Sequence, residues 1–198
     1  MDKISALIPA ASATDLDIIA DVLRDMPAGV ISTLAQANCT IRPLAKRERY
    51  DAASPALRRL GIDVDSWPAP PAGLFVVEER TVYLRSRSKM TICHEVMHAL
   101  DCALGGGVYR SGFDPEFRRV YAAARSFVTP YAATGIDEWF AESARAFVGG
   151  CNDEASSWPD ATPERLRKCD RATYDLIARV FAEIAKCDAG EQMELVLR

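Results

Sequence analysis

An α+β fold, a single domain with several helices packed on a small β-sheet, is what this sequence predicts. Two observations carry that expectation. Most apolar residues recur at helical spacing in segments closed by Gly or Pro, and only three short stretches, 39–44, 73–77 and 81–85, read as strands. At 198 residues the chain is also long enough to bury one core without disulfide or metal staples.

Thr14-Asp15-Leu16-Asp17 reads as a capping box opening a helix through about Asp25, with Leu16, Ile19, Ala20 and Leu23 on one face. Pro27 ends that helix and starts a second, through Ala37. Cys39 to Leu44 is a short strand, β-branched at Thr40 and Ile41. Residues 45–72 are polar and Pro-rich and read as a long connection with one short helix around Ala56 to Leu60. The stretches 73–77 and 81–85 form a β-hairpin. Ser86 or Ser88 then caps a helix that runs to about Leu104, where Gly105-Gly106-Gly107 stops it. A helix from about Asp114 to Ala124 and a loop around Pro130 follow. Thr134-Gly-Ile-Asp137 is a second S/T-x-x-D cap, opening a helix through about Val148 that ends at Gly149-Gly150. Pro163 to about Lys186 is one broken helix or two consecutive ones.

Composition narrows the function classes. The net charge is −4 and no Lys/Arg block occurs, which argues against nucleic acid or an anionic membrane as the main partner. No run approaches the roughly 18 apolar residues of a membrane span. Residues 1–13 start nearly neutral and are broken by Pro9, which makes them a frayed leader rather than a secretory signal. A cytoplasmic location and export by a non-classical route both stay open. The six scattered cysteines read as mostly reduced core thiols.

The stretch His94-Glu95-Val96-Met97-His98 holds both histidines of the chain. Histidines four apart project from one helix face, so both imidazoles can bind one zinc ion. Glu95, beside the first of them, is placed to act as general base toward an activated water. The competing reading is a helix with two hydrogen-bonded histidines and no metal.

A catalytic zinc takes three protein ligands and keeps one position open. With both histidines used, the third must be Asp, Glu or Cys. The strongest candidates, Glu138 and Glu142, stand one turn apart in Asp137-Glu-Trp-Phe-Ala-Glu-Ser-Ala-Arg145, with Trp139, Phe140 and Phe147 on the apolar side. One acid can reach the metal while the other holds the free N–H of a ligating histidine. The alternative is a solvated acidic stripe with an i,i+3 pair between Glu142 and Arg145. Asp101, one turn after His98, either orients a ligand or faces solvent. Cys93 and Cys102 read as packing residues, and the strand of Tyr83 as a sheet edge for an extended substrate or as sheet core.

HExxH followed by Ala-Leu-Asp, with Glu-Trp-Phe-Ala-Glu about forty residues on and Tyr131 seven positions before its first Glu, resembles the lethal-factor-like zinc metallopeptidases of the gluzincin group. The resemblance covers roughly Leu74 to Val148, and more loosely Arg171 to Phe181. It implies a zincin-like single domain whose active-site helix carries HExxH. By position it implies His94, His98 and Glu138 as zinc ligands, Glu95 as base, Glu142 as the acid that holds a histidine, and Tyr131 as the phenol that stabilises the transition state. Tyr109 and Tyr121 are rival phenols. Met97 departs from the pattern, since relatives often carry Gly there.

The expected activity is zinc-dependent hydrolysis of a peptide or protein. The alternatives are a non-catalytic binding or regulatory module on a zincin scaffold, and a cytosolic zinc peptidase that clips a repressor and uses a different third ligand. Loops 45–72 and 105–130 are expected to shape the substrate pocket, without a readable specificity code. Oligomeric state has no signature in the sequence.

Overall fold

A computed structural model of the chain describes residues 3–152 and 156–196, with side chains as far as Lys186. Helices α1 (Lys3–Leu7), α2 (Ala13–Arg24) and α3 (Ala28–Gln36) precede strand β1 (Thr40–Pro43). The short helices α4 (Tyr50–Ala53) and α5 (Pro55–Leu60) lead to the hairpin of β2 (Gly73–Val76) and β3 (Thr81–Leu84). The site helix α6 (Lys89–Leu104) follows, then α7 (Arg110–Phe113), α8 (Pro115–Ala123), α9 (Ile136–Val148), α10 (Pro163–Cys169) and α11 (Arg171–Val196).

Residues 3–8 are ordered and packed rather than frayed. Helix α1 packs on α3, and Leu7 and Ile8 are buried in the main core. Two apolar side chains removed from water are enough to dock so short a segment. The capping box of α2 lies two residues earlier than Thr14: Ser12 Oγ accepts from the Asp15 N–H at 3.1 Å and donates to the Asp15 carboxylate at 2.9 Å. Asp15 also accepts from Arg87 Nε at 2.7 Å, which ties α2 to the segment that leads into α6.

The connection 45–72 is more ordered than its polarity suggests. Tyr50, Ala53, Leu57 and Val64 form a second, small core against Val76 and Tyr83. The Tyr50 hydroxyl donates to the Pro71 carbonyl at 2.9 Å and so fixes the end of the Pro-rich run.

The sheet has the order β1-β3-β2, with β1 parallel and β2 antiparallel to β3. Tyr83 therefore lies on the middle strand, which offers no free edge to a substrate; β2 is the outer strand that lies on α6. Ser88 caps α6 by accepting from the Thr91 N–H at 3.2 Å. Helix α6 is buried on nearly every side, with Ile92, Val96, Met97 and Leu100 in the core. Met97, the departure noted in the sequence, is fully buried in the main core.

Helix α9 starts after Gly135 without a side-chain cap. The expected Thr134 cap is diverted, because its hydroxyl donates to the Tyr131 carbonyl at 2.7 Å and closes a 3-10 turn at Tyr131–Ala133. Cys39, Cys93, Cys102 and Cys151 are buried free thiols and Cys169 is half-buried, while Cys187 lies outside the described side chains. Among the described residues no helix is long and apolar enough to cross a membrane.

Candidate metal centre

Helices α6 and α9 pack face to face and place three ligand-type atoms together. His94 Nε2 lies 3.1 Å from His98 Nε2 and 3.0 Å from Glu138 Oε2, and His98 Nε2 lies 3.2 Å from that same oxygen. Atoms about 2.1 Å from a tetrahedral ion lie about 3.4 Å from one another, so the spacing suits one zinc. The three close contacts have at most two N–H donors between them, so hydrogen bonds leave one contact unmade, whereas a shared cation would satisfy all three atoms. Among the described residues this is the one such group of His, Cys, Asp or Glu.

Glu142 is not part of a solvated stripe. It is 1% exposed, and Arg145 beside it is fully buried. Its Oε1 accepts from His94 Nδ1 at 2.8 Å and Arg145 Nε at 2.5 Å; its Oε2 accepts from Arg145 Nη2 at 2.8 Å and Thr129 Oγ1 at 2.6 Å. Burial works against the charge, but the His94 and Arg145 bonds outweigh it and hold the carboxyl down at about 2. An ionised Glu142 makes His94 Nδ1 the donor, which turns Nε2 toward Glu138. Arg145 is held in turn by Asn152 Oδ1 at 2.6 Å.

His98 is oriented differently. Its Nδ1 is buried with no hydrogen-bond partner among the described residues. Asp101 does not face solvent, and it does not take that nitrogen. Its carboxylate accepts from the Ser111 N–H at 2.9 Å and the Ser111 hydroxyl at 2.5 Å. Asp101 thus pins α7, the helix that begins after Tyr109, whose ring stands 5.7 Å from that of His98.

Glu95 is buried beside the two imidazoles. Burial raises its carboxyl above the ordinary range, against the pull of His94 and His98. The Phe75 N–H on β2 donates to it. The strand can come this close only because residue 73 is Gly: a Cβ there would lie 2.5 Å from Glu95 Cγ and 2.9 Å from Thr91 Cγ2.

Tyr131 reaches the cluster from the 3-10 turn, its hydroxyl donating to Glu138 Oε1 at 2.9 Å. Burial and the Glu138 charge push the phenol pKa well above its usual value, so it stays a donor. Tyr121 is elsewhere, packed on Trp139 and Phe127 and lining a surface groove with Arg118 and Arg119.

A cavity of about 240 Å³ opens onto His94, Glu95 and Tyr131. Its walls come from Pro71 and Ala72, at the end of the connection 45–72, from Gly73, and from Ser157 and Trp158. Thr129, Trp158 and Gly73 were not singled out in the sequence. Thr129 and Trp158 carry no spacing signal, whereas the i,i+3 spacing of Glu142 and Arg145 was visible as a pair.

No protein-family model matches the sequence, and no curated protein sequence does. Among solved structures, the fold is similar to that of the PRO-PRO endopeptidase PPEP-2 from Paenibacillus alvei, with a TM-score of 0.62 and 20% identity over 90% of this chain and 100% of that one. The similarity shows the fold, and the α+β, zincin-like class expected from the sequence is the one observed.

Proposed function

We propose that this chain is a zinc-dependent endopeptidase of lethal-factor-like type, with Glu95 as general base and Tyr131 as transition-state donor. The observation that carries the reading is the convergence of His94, His98 and Glu138 beside a buried Glu95 at the mouth of a cavity. The fold it shares with an endopeptidase supports it, as does the match of each residue to the gluzincin pattern. A non-catalytic module would be favoured by a missing base or ligand, and a repressor-clipping peptidase by a Glu138 away from the histidines. Neither is seen.

His94, His98 and Glu138 would hold the ion, which when bound supplies a water of pKa near 7 and polarises the scissile carbonyl. Glu95 accepts the proton of the attacking water and returns it to the leaving amine. Tyr131 stands 38% exposed at the rim, where its O–H can donate to the oxyanion that develops on the substrate. Purified protein is expected to hold about one zinc per chain. His94→Ala, His98→Ala and Glu138→Ala should each abolish stoichiometric binding by elemental analysis; full occupancy in any of them refutes the site.

Loading is coupled to protons. In the metal-free protein burial works against a charged His94, but the bonds to Glu138 and Glu142 and the charge of Glu95 raise it to about 10. A proton therefore occupies His94 at pH 7 and must leave when a cation binds, so about one proton is released and apparent affinity falls as pH is lowered from 10 toward 7. Titration calorimetry in two buffers of different ionisation enthalpy measures this. Equal heats in both would mean that His94 is already neutral.

Tyr131→Phe should lower kcat by about 10² to 10³ and change KM little, since the phenol acts where charge develops. Tyr121→Phe should do nothing, and Tyr109→Phe little. A Tyr131→Phe enzyme with normal kcat removes the phenol from the chemistry.

A further inference from the structure

Trp158 stands at the mouth of the cavity with no role in the proposed chemistry. Its ring lies parallel to that of Tyr131, 5.9 Å between centroids and 10° between planes. Behind it are Val128, Ala146, Ala161 and Leu166, a small apolar cluster between α9 and α10. The Trp158 loop is tied to the metal centre. Asn152 accepts from Arg145 and donates to the Ala161 carbonyl at 2.9 Å, while the Trp158 carbonyl accepts from the Ala161 N–H at 3.1 Å. An aromatic plane is thus held at a set position relative to His94 and Tyr131.

The rest of that wall is apolar or neutral: Pro71, Ala72, Met90 and Thr91. Among the described residues no Lys or Arg lines the cavity, so an anionic side chain finds no partner in them and meets Glu95 and Glu142 instead. A cation fares no better. A carboxylate has about four acceptor positions, and those of Glu142 are taken by His94, Thr129 and two nitrogens of Arg145. Glu95 already accepts from the Phe75 N–H on β2 and faces the two imidazoles. Burying an unpaired charge against Trp158 and Met90 is costly, whereas an apolar side chain gains by leaving water.

We propose that Trp158 determines specificity: it is the wall of a pocket that receives one uncharged, apolar or aromatic side chain of a peptide beside the scissile bond. The proposal rests on the endopeptidase reading for the words scissile bond, but not for the pocket itself.

Its test reads binding as well as turnover. Zinc-loaded Glu95→Gln protein, immobilised, is exposed to decapeptides randomised at two central positions, and the retained peptides are identified by mass spectrometry. Leu, Phe and similar residues should be enriched about tenfold over Asp and Lys at one position, as the burial of one such side chain supports. Adding Trp158→Ala should erase that enrichment and Trp158→Phe should preserve most of it, with zinc content and thermal midpoint measured for both. On cleaved peptides, Trp158→Ala in the otherwise native chain should raise KM for apolar sequences more than it lowers kcat. Enrichment that survives Trp158→Ala, enrichment of charged residues, or no retention at all overturns the proposal. So does a loss of kcat that is uniform over all peptides, which would make Trp158 only a brace for Tyr131. If the native chain cleaves nothing while Trp158-dependent enrichment is present, the pocket stands and the endopeptidase reading falls.

Discussion

Glu95→Gln is expected to leave a folded, zinc-loaded protein whose turnover is lower by about 10² to 10⁴, the range that a positioned base contributes. The substitution keeps shape and volume against Gly73 and Thr91, where the packing leaves no slack. It removes no atom from the group formed by His94, His98 and Glu138, so metal content should stay at the native value. It does remove the one carboxylate that can take a proton at this position. Glu142 is saturated by four hydrogen bonds, and Glu138 faces both imidazoles and Tyr131. Among the described residues no second base is at hand to rescue the reaction. Elemental analysis together with kcat on a cleaved peptide decides it. Activity within about tenfold of the native enzyme would take Glu95 out of the mechanism.

How much of this was legible in the sequence follows from how local each signal is. His94, Glu95 and His98 belong to one helical repeat, so their common face follows from i,i+4 spacing alone. The cap at Ser88 and the stop after Leu104 are equally local, and both elements stand as expected. Glu138 is forty residues from His98, and spacing alone left it level with Glu142. The structure separates the two by geometry, one facing both imidazoles through Nε2 and the other bonded to His94 Nδ1.

What was misread depends on partners distant in sequence or on competition between short-range bonds. Thr134 looks like a cap, but its hydroxyl is used on Tyr131. Ser12 rather than Thr14 is the cap, and its hydroxyl takes the Asp15 N–H. Leu7 and Ile8 look like a loose leader until the core that receives them is assembled. For Tyr83 the sequence left edge and core open, and the parallel arrival of β1 puts it in the middle of the sheet. Thr129 and Trp158 are ordinary loop residues in one dimension, and become part of the site only when α9 brings Glu142 to Thr129 and the 3-10 turn sets Tyr131 against Trp158.

Arg145→Met should be the most damaging substitution to stability outside the apolar core. The guanidinium is fully buried and makes its hydrogen bonds to Glu142 and to Asn152. Methionine has similar length and replaces none of them. What remains is a buried Glu142 carboxylate with His94 and Thr129 as partners, and removing one member of a buried ion pair costs about 3–5 kcal/mol. Urea denaturation of the metal-free protein measures that loss. The site should suffer too: with Arg145 gone, Glu142 no longer holds His94 Nδ1 in one place, and zinc affinity should weaken by about 10 to 100-fold. The double variant Arg145→Met, Glu142→Gln separates the two effects. Neutralising the stranded carboxylate should restore part of the stability, because the unpaired charge is removed. Zinc affinity should stay weak, because an amide does not replace the charged acceptor at His94. If Arg145→Met loses less than about 1 kcal/mol, Glu142 does not depend on its buried partner. If the double variant binds zinc as the native chain does, His94 is oriented without Glu142, and the support assigned to α9 falls with it.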